Sequence, residues 1–213
     1  MTFEELDRIR FEKYGPFSER AIRPHRAISW GKAAEKAEGE DEQFIFYWIA
    51  LNAAYNDADS FAETERIKRK NFFNKISELD IDNRVKKALI SIPNQLRVFV
   101  DNKYLYDEYW KTQKGDTSEE NFEKHKTMVM QKIYSGLMAK EDEIEVLDYL
   151  FTLMAVLRNQ LFHGLATYQS RANREQLGAG VKILKAIMPI IIELVLVNDD
   201  VDWGRVSYPY KAN

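Results

Sequence analysis

Between Leu147 and Leu161, apolar side chains recur at alternating three- and four-residue steps through Leu150, Met154 and Leu157. On an α-helix of 3.6 residues per turn such a run forms one continuous seam, and the seam must lie along a core. The same period dominates the rest of the chain, and alternating strand patterns are scarce. With 9 Gly and 5 Pro among 213 residues, few positions interrupt it. The expected fold is therefore all-α, a helical bundle.

Local signals divide the chain into helices. Thr2 and Glu5 have the spacing of a capping box for a first helix that ends before Gly15. A second helix is expected over Ala27 to Glu38. A third, with Asp41 as its cap, runs through Phe44 to Tyr55, apolar on nearly all sides as a central buried helix is. Further helices are expected over Ala62 to Leu79 and over Asp82 to Ile92, with Pro93 ending the latter. Val100 to Trp110 is rich in aromatic residues but poorly periodic. Lys114 to Ser118 reads as a loop, and Thr117 with Glu120 as the cap of a helix reaching Leu137. The seam belongs to a helix over Glu141 to His163, which Gly164 would close in the left-handed conformation. A last helix, Asn173 to Val197, is expected to bend or restart at Pro189.

Composition narrows the function classes. Hydrophobic residues at 45% and charged residues at 31% describe an ordinary globular chain. A net charge of −3 excludes a bulk polycation, so any contact with nucleic acid must be local. Cysteine is absent, which excludes disulfides, thiolate nucleophiles and Cys-ligated zinc and fits a reducing cytoplasm. The acidic start, Met1 to Glu5, lacks the apolar stretch of a secretory leader. The apolar run Ile187 to Val197 is broken by Pro189 and Glu193 and falls short of the roughly 18–20 residues of a membrane span. No membrane association, metal or cofactor is expected: His25 and His125 have no partners at ligand spacing, and no phosphate-binding glycine loop or serine-nucleophile motif occurs.

Chemistry gathers at the polar end of the seam helix, in Arg158-Asn159-Gln160-Leu161-Phe162-His163-Gly164. Arginine keeps its charge and matches phosphate oxygens with a planar donor fork. His163, one of 3 histidines, is of the type suited to proton transfer near neutrality. Together, with no metal ligands in the motif, they point to phosphodiester cleavage through the RNA 2′-hydroxyl. Asn159 and His163 are one turn apart on one face, so the amide can orient the imidazole. Arg158 and His163, five apart, diverge by roughly 140° and about 7.5 Å along the axis. A two-fold dimer would bring a second copy of the helix end to complete such a site. The plainer reading is a histidine in the last helical turn that, when protonated, stabilises the helix dipole without any chemistry.

The spacing R-x-x-x-x-H, with a polar residue after the arginine and the run Leu161-Phe162-His163-Gly164, resembles the signature of the HEPN superfamily of all-α ribonucleases and toxins. There the motif lies near the end of a late core helix, commonly as Arg-Asn or Arg-Asp followed by an apolar pair and His-Gly. The earlier segment Trp48-Ile49-Ala50-Leu51-Asn52-Ala53-Ala54-Tyr55 resembles the tryptophan- and asparagine-bearing helix of the Apea-like branch. The resemblance covers roughly residues 19 to 197 and implies one HEPN-like helical domain over 1–213, with a helical insertion at 95–138. It further implies a metal-independent endoribonuclease acting on single-stranded RNA. Its site would form at a homodimer interface, with Arg158, Asn159 and His163 as catalytic residues. The resemblance fits a toxin or anti-phage effector held in check by an antitoxin or other regulatory protein. Because some members of the superfamily have lost activity, a silent module that dimerises and binds RNA, a nucleotide or a partner protein is the alternative.

Two basic stretches stand apart from the motif. Arg66, Lys68, Arg69 and Lys70, with Lys75 and the rings of Phe72 and Phe73, could bind an RNA backbone and stack a base. The simpler reading is a solvated helix face with both rings in the core. Arg20, Arg23, His25 and Arg26 around Pro24 pose the same choice. Asn52, on an apolar helix, is expected to be a structural hydrogen-bonder, since a buried amide needs partners. Trp48 and Tyr55 are expected in the core.

Overall fold

The computed structural model describes residues 1–16, 18–60, 62–139, 143–171 and 174–209, and among these it is all-helical, with ten α-helices and no strand. Glu141 and Asn173, expected as helix starts, lie outside the described residues. The chain divides into two compact units, one formed by Met1–Val85 with Leu184–Asn213 and the other by Lys86–Ile183. The second unit takes in residues 95–138 and the motif helix together.

The first unit begins with α1 (Phe3–Tyr14), whose capping box is formed by Thr2 and Glu5. Helix α2 (Ile22–Lys36) starts five residues earlier than expected, because Pro24 falls in the first turn, where its missing N–H has no intrahelical role. Helix α3 (Glu40–Tyr55) is capped by Gly39 rather than Asp41, which instead lies buried in the first turn. An acid there stabilises the positive helix end without being the cap. Phe44, Tyr47, Trp48, Leu51, Ala54 and Tyr55 are buried, together with Phe3, Leu6, Ala27 and Ile28 from the neighbouring helices. Gly31 on α2 admits the ring of Phe3 so closely that a Cβ there would fall inside it. Helix α4 (Glu65–Leu79) is capped by Thr64, whose side chain accepts from the Ile67 N–H, and it buries Phe72, Phe73 and Ile76.

The tail after residue 197 is pinned back onto this unit by arginines. Arg23 donates to the carbonyls of Ala54 at 3.0 Å, Asn56 at 2.6 Å and Gly204 at 3.0 Å. Arg26 reaches the carbonyls of Ser207 and Tyr208. Trp203 packs on Phe72 with ring centroids 5.7 Å apart.

In the second unit, α6 (Pro93–Asp101) begins at Pro93, the residue expected only to end α5 (Arg84–Ile90). Proline suits a first helical position as well as it blocks a helix interior. The aromatic stretch resolves into a 3-10 turn (Lys103–Leu105) and α7 (Asp107–Lys114), which Gly115 closes in the left-handed conformation. Helix α8 (Glu119–Met138) is capped by Ser118, one residue beyond the expected Thr117. Its Val129, Ile133 and Leu137 are buried. Helix α9 (Glu143–Phe162) packs along α8. The last helix, α10 (Arg174–Val197), gives its residues up to Ile183 to this unit and those from Leu184 to the first, and it runs unbroken through Pro189.

Candidate functional site

Helix α9 is built as its seam requires. Leu147, Leu150, Met154 and Leu157 are all fully buried, but Leu161 is only half-buried because the seam runs out in the last turn. The helix ends in a Schellman motif. Gly164 has φ +66°, its N–H donates to the Leu161 carbonyl at 3.2 Å, and the Leu165 N–H donates to the Gln160 carbonyl at 2.9 Å. Those bonds satisfy carbonyls that a helix end otherwise leaves open, and they turn the chain sharply away after His163.

This end carries the motif. Asn159 and His163 are exposed, and Arg158 is half-buried. The His163 N–H still donates to the Asn159 carbonyl at 3.1 Å, so the last turn keeps helical register and the two side chains share a face. Arg158 lies roughly 140° around the helix from His163. The amide and imidazole are therefore neighbours within one chain, whereas the guanidinium stands on another side of the helix. On either side of the cap, Phe162, Leu165 and Tyr168 are exposed, Leu165 at 73%. That puts three large apolar side chains in water beside the polar residues.

A residue that sequence reasoning passed over holds this end together. Gln160 is 8% exposed, and its Nε2 donates to the Tyr104 carbonyl at 2.8 Å. Its own carbonyl accepts from both Leu165 and Ala166. Gln160 follows buried Leu153, Val156 and Leu157 by seven, four and three residues, so it falls on the buried side of α9, where a polar side chain needs a partner. Its partner, a backbone carbonyl 56 positions away, left no trace in the sequence.

The basic stretch on α4 belongs to the other unit and resolves differently. Arg66 and Lys70 are exposed and Lys68 is half-buried. Arg69 is 2% exposed, with Nη1 3.9 Å from Glu65 Oε1, so its charge is not offered to a polyanion. Phe72 and Phe73 are in the core, which removes them as stacking surfaces. The cluster around Pro24 is likewise occupied, with Arg23 and Arg26 on tail carbonyls and Arg20 3.7 Å from Asp199.

His25 is exposed at the surface, and the partial loss of water around its ring, with the Arg10 charge, holds the imidazole below the ordinary histidine range. His125 Nε2 stands 3.3 Å from Glu108. Asn52, expected as a structural hydrogen-bonder, leaves its buried Oδ1 without a hydrogen-bond partner among the described residues. It lines a groove of about 470 Å³ with Asn56, Glu63, Glu65 and Lys68.

Among the described residues, no group of three or more His, Asp or Glu side chains could hold a metal ion, and no helix is long and apolar enough to cross a membrane. No protein-family model matches the chain, and neither does any curated protein or solved structure.

Proposed function

We propose that the chain is a metal-independent endoribonuclease of the HEPN type that cleaves single-stranded RNA as a homodimer. Arg158, Asn159 and His163 are its working residues. The observation that carries the reading is the end of α9: a deeply buried helix that presents an amide and an imidazole to solvent on one face, closed immediately afterwards by Gly164.

In this reaction the 2′-oxygen attacks the adjacent phosphorus while its proton passes to one His163 imidazole. The bond from phosphorus to the 5′-oxygen breaks, and that oxygen takes a proton from His163 of the second copy. The products are a 2′,3′-cyclic phosphate and a 5′-hydroxyl. Acid–base catalysis of this kind contributes about 10²–10⁴-fold. The Arg158 guanidinium spreads the charge that builds on the non-bridging oxygens, a contribution of similar weight. Asn159 orients the imidazole. Since Arg158 and His163 diverge within one chain, Arg158 of a second copy completes each site, and exposed Phe162, Leu165 and Tyr168 supply the apolar surface for that pairing. The biological role is that of a cytoplasmic toxin or anti-phage effector governed by an antitoxin or other regulatory protein.

The test is incubation with mixed RNA in EDTA, comparing wild type with His163→Ala and Arg158→Lys. Cleavage that survives EDTA, leaves cyclic phosphate ends and disappears in both variants supports the reading. Arg158→Lys fails because an ammonium cannot reproduce the planar fork. Equal cutting of DNA, which has no 2′-hydroxyl, or wild-type rates in both variants would overturn it. If no RNA is cut but the chain still dimerises, the silent binding module is correct.

A further inference from the structure

We infer that Tyr104, Tyr109 and Trp110, with Lys103, form a platform on which an unpaired base of single-stranded RNA stacks beside the phosphate at the α9 end. The inference rests on the RNA-cleavage reading above and adds to it how the substrate is held.

Two of the rings stay partly in water. Tyr104 and Trp110 are each 39% exposed, although burying an aromatic ring is strongly favourable. They are also rigid. Trp110 Nε1 donates to the Tyr104 carbonyl at 3.0 Å, which fixes the indole, and the two rings lie 5.9 Å apart with planes at 36°. Tyr109 meets both rings edge-on, at centroid distances of 5.3 Å. On its other side Tyr109 packs against buried Phe122 of α8 at 5.6 Å, so the cluster is rooted in the core of its unit. Preorganised rings lose little entropy on stacking a base, and stacking tolerates any base because each has a π-face.

Charge favours a nucleotide over an apolar partner. Lys103 Nζ lies over the Tyr104 and Tyr109 rings, 5.4 Å and 4.9 Å from their centroids, so the cation is held against the cluster within reach of the phosphate of a nucleotide stacked on Trp110. Lys111 and Lys114 on α7 are exposed as well. Of the acids in the first turn of α7, Glu108 is engaged by Lys111 at 3.6 Å and by His125 at 3.3 Å, and Asp107 complements the positive end of the helix.

Position ties the platform to the motif. The Tyr104 carbonyl that holds the indole also accepts from Gln160. Gln160 precedes His163 by three residues, so the two are neighbours on one helix face about 4.5 Å apart along the axis. The cluster is thus anchored to the last turns of α9, the end of the helix that carries the motif.

The test measures binding of a short fluorescein-labelled single-stranded RNA of mixed sequence by anisotropy, in the His163→Ala background so that nothing is cut. Tyr104→Ala and Trp110→Ala should each raise the dissociation constant at least about fivefold, and Trp110→Phe should restore most of the affinity. The same RNA made abasic should bind the platform-intact protein as weakly as the intact RNA binds Trp110→Ala. This comparison needs no ring substitution, so it decides the matter even if a variant unfolds. Equal affinity for intact and abasic RNA overturns the platform while leaving the cleavage reading standing. So does a Trp110→Ala protein that loses only its dimer in sedimentation. If the platform-intact protein binds no RNA at all, the cleavage reading and the platform fall together.

Discussion

Helices α4 and α9 both mix arginine with large apolar side chains, and they bury the arginine to different depths. On α4, Arg69 is buried beside Phe72, Phe73 and Ile76 and paired with Glu65. On α9, the apolar seam stops short of the end, and Asn159 and His163 stand in water with Arg158 half-buried behind them. The difference is one of position along and around the helix. A cation in register with a core face is drawn inward and must be paired there. Polar residues past the last fully buried seam position stay at the surface. Clusters of positive charge in a sequence therefore say little until their helical phase is known.

The sharpest way to break this contrast is to remove charge from each helix in turn. His163→Ala should lower RNA cleavage by about 10²–10⁴-fold with an unchanged unfolding midpoint. Arg66→Ala with Lys70→Ala should leave cleavage within about twofold, since these are surface positions on a helix whose Phe72 and Phe73 are in the core and offer no stacking surface. Arg69→Ala should act on stability alone, costing about 1–3 kcal/mol in chemical denaturation. Should the α4 variants abolish cleavage while His163→Ala cuts normally, the roles assigned to the two helices are reversed.

The inner part of α9 is the next place to press. Leu157→Ala removes a fully buried side chain and should cost about 2–5 kcal/mol by denaturant titration. Leu161→Ala, at a half-buried position, should cost clearly less. Equal costs would mean that the seam extends into the last turn and that the motif is less open than argued. Gly164→Ala tests the cap. An alanine at φ +66° is strained by about 1–2 kcal/mol and loosens the turn that follows His163.

Much of the fold was legible because it rests on short-range periodicity. The seam from Leu147 to Leu157, the Thr2 and Glu5 box and the Gly164 cap depend on residues within a turn or two of each other, and each is found where expected. Caps chosen among similar residues slipped by a position or two, as with Ser118 for Thr117 and Gly39 for Asp41, because neighbouring polar residues offer the same bond. The burial of Arg69 was readable in principle, since it lies three, four and seven residues before Phe72, Phe73 and Ile76 on one face. The partners of Arg23 and Gln160 were not. These are backbone carbonyls distant in sequence, which carry no residue identity to recognise.

The smallest effect concerns cations that neither helix explains. Lys32 bridges Glu4 at 2.8 Å and Asp7 at 3.1 Å, and Arg10 holds Asp7 at 2.8 Å, so the charges on α1 and α2 are spent inside their own unit. Burial pushes the Asp7 carboxyl up, but hydrogen bonds from Arg10 and Lys32 outweigh it and hold the group below the ordinary aspartate range. A carboxyl whose folded value is depressed contributes stability that is present above its unfolded value. That stability is lost as pH falls through the folded value. Wild type should therefore lose stability on acidification through and below the ordinary aspartate range. Asp7→Asn should be less stable at neutral pH, by about 1 kcal/mol for a half-buried carboxylate that loses two cation partners, and flatter across that window. Cleavage by Asp7→Asn at neutral pH should match wild type, because the pairs it disturbs lie in the unit without the motif. A variant with unchanged acid sensitivity but impaired cleavage would show that these cations serve the reaction, and that the division drawn between α4 and α9 does not extend to the rest of the chain.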